Sequence, residues 1–418
     1  MPKYLIEGGR KLSGSIRLHG AKNAILPIMA AAILSDKPIL IEDVLPLEDI
    51  KVLNNIMEII GVNTKLDETS STIQIQNLGI KNTNVSTQLV NKLRASILLL
   101  GSILAREKKV SIVLPGGCNI GARPIDLHIK GLSLLGAEIK INQGIIEAKA
   151  KKLRGNKIYL DFPSVGATEN IMIAATYAEG ETIIENAATE PEIVCLANFL
   201  NTLGAKIWGA GTDTIRIIGV DSLNGGTFAP IPDRIEAGTY MALVSATGGN
   251  IRIENVIIDH IRSIIAKLSE CGVKVTEGEN YVVVNAQEKL KATDIKTLPY
   301  PGFPTDMQAQ IMAMLTCAKG TSMIIETIFE NRYQHACELV KMGANIKIDG
   351  RVAIVEGVKK LSGTNVKAQD LRGGAALVIA GLIADGITEV DEINHIDRGY
   401  YNMDKIINSI GGKIERID

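Results

Sequence analysis

Six times along this chain an apolar helical turn ends in glycine and an alternating segment follows. The junctions are Ile59-Ile60-Gly61, Leu134-Leu135-Gly136, Thr202-Leu203-Gly204, Glu270-Cys271-Gly272, Lys341-Met342-Gly343 and Ser409-Ile410-Gly411. Subtracting successive glycine numbers gives 75, 68, 68, 71 and 68 residues. Spacing this regular describes copies of one supersecondary unit. Glycine just past a helix takes the left-handed conformation that closes it. The segments that follow, such as Ala137-Glu138-Ile139-Lys140-Ile141, alternate apolar and polar and predict strands.

Two further motifs recur in most units. Leu12-Ser13-Gly14-Ser15-Ile16, Leu153-Arg154-Gly155-Asn156-Lys157-Ile158 and Leu361-Ser362-Gly363-Thr364-Asn365-Val366 predict an opening strand. Gly180-Glu181-Thr182-Ile183-Ile184-Glu185-Asn186 matches Gly249-Asn250-Ile251-Arg252-Ile253-Glu254-Asn255, a second strand reached after a helix of small and apolar residues. Each unit therefore reads strand, helix, strand, helix, then two strands. An open solenoid has a compatible period, but the polar segments that start the first helices differ too strongly between units. The core is expected to be mostly Ile, Leu, Val and Ala, since aromatics make up 4% of the chain. Ala229-Pro230-Ile231-Pro232 reads as a hinge. It divides the chain into a domain of residues 21–229 and a second of residues 1–20 and 230–418, with the strand before Lys22 pairing into the later half.

The bulk numbers exclude several classes. A formal net charge of −1 offers no basic excess for nucleic acid. No apolar run reaches the roughly 18 residues of a spanning helix, and Met1-Pro2-Lys3-Tyr4 opens without an apolar signal core. Cys118, Cys195, Cys271, Cys317 and Cys337 are scattered, as expected for reduced cytoplasmic thiols rather than a disulfide framework or zinc site. No metal cluster, dinucleotide fingerprint or P-loop occurs, so no metal or cofactor is expected.

The chemistry concentrates where the first helices begin. Lys22, Arg94, Arg234 and Arg372 fall at such starts, where a cation opposes the helix dipole unless an anion neutralises it. Leu114-Pro115-Gly116-Gly117-Cys118-Asn119-Ile120-Gly121-Ala122-Arg123-Pro124 joins a Gly-rich loop, a thiol and a guanidinium. A thiol near a cation ionises more readily and serves as acid or nucleophile, and an arginine fork suits phosphate or carboxylate.

Lys22-Asn23, Arg94, the Gly116-Gly117-Cys118 loop continuing to Asp126-Leu127-His128, Asp306, Phe329-Glu330-Asn331-Arg332, Asp370-Leu371-Arg372 and Arg398 resemble the UDP-N-acetylglucosamine enolpyruvyl transferases over essentially the whole chain. The resemblance implies two similar inside-out α/β domains, each of three β-α-β-α-β-β units, with the active site in the cleft between them. It implies transfer of the enolpyruvyl group of phosphoenolpyruvate to the 3′-hydroxyl of UDP-N-acetylglucosamine by addition and elimination, the first committed step toward peptidoglycan.

It also implies roles. Cys118 matches the acid that protonates the donor methylene, the thiol alkylated by the epoxide fosfomycin, and Asp306 matches the base for the sugar hydroxyl. Lys22, Arg123 and Arg398 match the phosphate side, Arg372 and Arg398 the carboxylate side, with Arg332 nearby. Asn23 matches a residue that steadies the intermediate, and Asp370 belongs to the substrate-binding Asp-Leu-Arg string. Arg94, the run Arg123, Pro124, Ile125, Asp126, Leu127, the triplet Ser164, Val165, Gly166, and Ile328 match sugar-nucleotide contacts. Phe162 stands where many members have lysine. The Gly-Gly-Cys string decides against the 3-phosphoshikimate enolpyruvyl transferases, which share the fold. Cys118, Asp306 and the cation set argue against the alternative of a non-catalytic sugar-nucleotide-binding regulator.

Overall fold

The computed structural model describes residues 2–85, 88–116, 120–121 and 124–418. They divide into two compact units. An inserted unit holds residues 20–116 and 124–231; a terminal unit holds residues 2–19, 120–121 and 232–418.

Six four-stranded sheets, three in each unit, occur among the described residues and share one topology. In the sheet of Lys157–Tyr159, Glu181–Glu185, Lys206–Trp208 and Thr214–Ile218, the opening strand pairs parallel with the second. The last two strands form a hairpin whose final strand lies against the second. The parallel pair requires a crossover, and the helix Val165–Ala175 supplies it. The helix Pro191–Thr202 then leads into the hairpin.

Both units close by borrowing strands across sequence. In the inserted unit, Gly226–Phe228 is the opening strand for Ile39–Ile41. In the terminal unit, Ser13–Arg17 pairs parallel with Asn250–Glu254, the pairing expected for the strand before Lys22. Lys3–Glu7 lies between Ile387–Asp391 and Ile414–Ile417, so the two ends of the chain complete one sheet.

The helices between the parallel strands form the interior. Leu371–Ile383 is buried from Leu371 to Leu382, and it packs against Gln308–Leu315 and Arg234–Thr247. In the inserted unit Leu98–Glu107 packs against Val165–Ala175 and Lys22–Ala32. Helices apolar on every face belong inside, each fully buried Leu or Ile contributing about 1.5–3 kcal/mol. Small residues bring their axes together: a Cβ on Gly101 would lie 2.2 Å from Asn170 Oδ1, which instead accepts from the Gly101 N–H at 2.8 Å.

All six glycines of the sequence period are left-handed, with φ between 89° and 105°. Each ends its helix in the same way, as where the Val62 N–H donates to Met57 O and the Ala137 N–H to Leu132 O. Asp43, Asn186, Asn255 and Glu392, which follow second strands, are left-handed as well. Asn186 and Asn255 use their side-chain amides to donate to Leu160 O and Leu18 O beside the neighbouring opening strand.

Gly272 has φ 89° and nothing within 4 Å of where a Cβ would sit. Gly272→Ala therefore isolates backbone strain from steric clash. It should lower unfolding free energy by about 1–2 kcal/mol in urea titrations followed by circular dichroism, with Gly272→Asn costing less. An alanine variant as stable as the parent would contradict this account of the repeat.

Candidate active site

In the terminal unit, chemistry gathers where Leu371–Ile383 and Gln308–Leu315 begin. Asp370 caps the first of these helices, accepting from the Arg372 and Gly373 N–H groups at 2.9 Å each. The second is preceded by a short 3-10 turn, Thr305–Met307, that carries Asp306. Arg372 Nε and Nη2 donate to Asp306 Oδ2 at 3.2 and 3.0 Å. Arg332 Nη2 donates to Asp306 Oδ1 at 2.7 Å. Both guanidinium side chains are 5% exposed and the carboxylate 29%.

Burial alone would raise the Asp306 pKa. The two guanidinium groups, Arg372 before Arg332, overbalance it and hold the carboxyl well below the usual carboxylate range. Arg372 also donates through Nη1 to the Tyr400 hydroxyl at 2.9 Å. That hydroxyl lies 2.8 Å from Thr239 Oγ1 and accepts from Gln310 Nε2 at 3.3 Å. Burial raises the Tyr400 pKa despite the cation beside it, so the phenol stays neutral. Arg332 lies over the Phe329 ring, 5.1 Å from its centroid, and its buried Nε has no hydrogen-bond partner among the described residues. Arg398 follows the short helix Asn394–Asp397 and is half-buried. Its neighbour Asp397 is gripped by Arg416 from the last strand, at 2.9 and 3.0 Å.

In the inserted unit, Lys22 opens its helix but does not face solvent. It is 7% exposed, and Nζ donates to Asp49 Oδ2 at 2.9 Å. Asn23 is exposed. Arg94 Nη2 donates to Pro124 O at 3.4 Å, and Pro124 and Ile125 lead into the helix Asp126–Leu134, which holds Leu127. Ser164 caps Val165–Ala175 by accepting from the Ala167 N–H. A Cβ on Gly166 would lie 3.2 Å from His128 Cε1, so Gly166 lets that imidazole approach. His128 in turn meets Asn170 at 3.0 Å. The Arg94 side chain thus reaches the Pro124 run, and the helix carrying Leu127 packs on the one opened by Ser164-Val165-Gly166. Phe162 is exposed. Cys118 and Arg123 lie outside the described residues.

The cations expected at helix starts also have partners within the protein. Asp49 pairs with Lys22 and Asp306 with Arg372, while Arg234 stacks 5.7 Å from the Tyr300 ring centroid. Arg94 begins the 3-10 turn Arg94–Ile97, which runs directly into the α-helix starting at Leu98. Helix ends in the terminal unit are met by carboxylate caps at Asp233 and Asp370.

Asp49, Tyr400, Thr239, Gln310, Thr305 and Glu326 escaped sequence reasoning. Their side-chain partners in the site lie mostly far away in sequence, 27 residues for Asp49 with Lys22 and 161 for Tyr400 with Thr239. Among the described residues no cluster of His, Cys, Asp and Glu is arranged for a metal ion, and no helix is long and apolar enough to cross a membrane.

Residues 6–406 match the family described as EPSP synthase (3-phosphoshikimate 1-carboxyvinyltransferase). The fold agrees: the chain is similar to the enolpyruvyl transferase NikO from Streptomyces tendae with a TM-score of 0.90 at 24% identity, over 99% of this chain and 98% of that one. It is similar to EPSP synthase from Acinetobacter baumannii with a TM-score of 0.77 at 19% identity, over 100% of both chains. A relative from Caldanaerobacter subterraneus subsp. tengcongensis, UDP-N-acetylglucosamine 1-carboxyvinyltransferase 1, is 58% identical over 99% of each chain. UDP-N-acetylglucosamine 1-carboxyvinyltransferase 2 from Clostridium tetani is 54% identical over 100% of both. The chain therefore belongs to the EPSP synthase family of 1-carboxyvinyltransferases and, within it, to the UDP-N-acetylglucosamine 1-carboxyvinyltransferases.

The remaining thiols are distinguished by burial. Burial pushes Cys195 up to about 11 and Cys271 up to about 12, and it raises Cys317 as well. Cys337 is exposed. At neutral pH, iodoacetamide should label Cys337 in the native protein, while Cys195 and Cys271 should react only on unfolding. Peptide mapping that finds Cys271 labelled ahead of Cys337 in the native protein would overturn this ranking.

Proposed function

We propose that the chain transfers the enolpyruvyl group of phosphoenolpyruvate to the 3′-hydroxyl of UDP-N-acetylglucosamine, with release of inorganic phosphate, in the cytoplasm. The observation that carries this reading is the full-length identity to relatives bearing that name. The same relatives favour it over 3-phosphoshikimate as acceptor. The Asp306 cluster supports it chemically, with one carboxylate beside two guanidinium groups of the kind an anionic donor recruits.

In this reading the reaction runs in two halves. The acceptor oxygen attacks the donor's substituted enol carbon as Asp306 takes the hydroxyl proton, and the Cys118 thiol gives a proton to the methylene carbon. A tetrahedral ketal results. The methyl carbon then returns a proton to the Cys118 thiolate, the double bond reforms, and phosphate leaves with the proton that Asp306 took. Lys22, Arg123 and Arg398 receive the phosphate, Arg372 and Arg398 the donor carboxylate, and Asn23 steadies the ketal. Arg332 and Asp370 order this cation set. Arg94, Arg123, Pro124, Ile125, Asp126 and Leu127, with Ser164, Val165, Gly166 and Ile328, hold the sugar nucleotide.

Asp306 clasped by two cations is a weak base. A donor carboxylate that draws Arg372 toward itself removes one of them and strengthens the base as substrates assemble.

Phosphate release from phosphoenolpyruvate, measured with each acceptor separately, tests the reading. Release is expected with UDP-N-acetylglucosamine and not with 3-phosphoshikimate; the reverse preference would refute it. Asp306→Asn should lower kcat by about 10²–10⁴-fold while sugar-nucleotide binding by calorimetry largely survives. Near-normal turnover in that variant would remove Asp306 from the role.

A further inference from the structure

The strand Thr321–Ile325 runs out at Glu326, a carboxyl side chain with no solvent exposure. Four donors converge on it. Oε1 accepts from Thr297 Oγ1 at 3.0 Å, from the Ile328 N–H at 2.9 Å and from the Phe329 N–H at 3.1 Å. Oε2 accepts from Thr305 Oγ1 at 2.9 Å.

A threonine hydroxyl has one proton to give, and here Glu326 takes it. The oxygen lone pairs are left for Arg332 Nη1, which donates to Thr305 Oγ1 at 2.9 Å. The other end of the same guanidinium donates to Asp306. The direction of every hydrogen bond in this chain follows from Glu326: an acceptor there orients Thr305 to accept from Arg332. Those two η contacts orient the fork, because its Nε has no partner among the described residues.

We infer that Glu326 is a positioning residue, acting through Thr305 to press Arg332 against Asp306 and through the Ile328 N–H to shape the loop that meets the acceptor. A buried carboxyl is a costly way to fill core volume, which an apolar side chain would fill without desolvating a polar group. Its use here is directional. It gives one acceptor to the loop at Ile328 and the other to the arm that sets the base. The inference rests on the reading of Asp306 as proton acceptor.

The test is enolpyruvyl transfer by the full-length protein carrying Thr305→Val, Thr305→Ser or Glu326→Gln, with kcat followed against pH. Thr305→Val keeps the shape and removes the relay oxygen. It should lower kcat by roughly tenfold, the loss expected when a group beside the reacting centre is misplaced. The acid limb of the profile should move to higher pH, because an Arg332 no longer held in place lets Asp306 protonate more easily. Thr305→Ser should restore both kcat and the limb. Glu326→Gln should move the limb in the same direction and also raise KM for the sugar nucleotide.

Three results overturn the inference: wild-type kcat and limb in Thr305→Val, a fall in kcat with the limb unmoved, or a loss that serine does not restore. If Thr305→Val fails to fold, Glu326→Gln decides by the same limb. The parent protein separates this from the functional reading. An inactive parent refutes the proposed reaction, whereas an active parent with an unmoved Thr305→Val profile refutes the relay alone.

Discussion

One carboxylate held by two guanidinium groups is the contact around which the charged residues of the terminal unit are arranged. Asp306 meets Arg332 through one oxygen and Arg372 through the other. Each arginine is anchored from behind, Arg332 by Thr305 and Arg372 by Tyr400. The arrangement keeps Asp306 ionised and weakly basic, and it shares one negative charge between two buried cations, so the trio keeps a net positive charge. In the proposed reaction Arg372 both holds down the base and receives the donor carboxylate, so donor binding and base strength are coupled through one side chain.

The repeat explains how such a cluster is assembled. In each copy the opening strand hands the chain to a buried helix, and the junction between them faces a constant setting while its sequence varies. Lys22, Ser164, Arg234, Asp306 and Arg372 all sit at that junction. The interior helices place it repeatedly, and the left-handed glycines hold the outer hairpins in register with them. Stability comes from the repeated part and chemistry from the part that differs.

Much of this was legible in the sequence. The glycine period and the strand–helix order follow from spacing and alternation, because backbone conformation and binary pattern are local properties. The partners of the charged residues were not legible. Asp49 is 27 residues from Lys22 and reaches it only once two helices pack. Tyr400 meets Thr239 across 161 residues, a contact made by tertiary packing alone. Glu326 is a single acid at a strand end, and nothing in its neighbours announces four converging donors.

Titration of Asp306 in the ligand-free protein reads the clasp of the two guanidinium groups directly. Infrared difference spectra of protein carrying ¹³C-labelled aspartate, compared between the parent and Asp306→Asn, isolate its carboxylate band. A carboxyl whose folded pKa lies below its unfolded value stabilises the fold above the ordinary range, and that contribution is lost as pH falls toward the folded pKa. The account predicts that the Asp306 band persists as the pH falls through the ordinary carboxylate range, where exposed aspartates protonate. Protonation of Asp306 with an ordinary midpoint, near the 3.8 of a free aspartate, would contradict it.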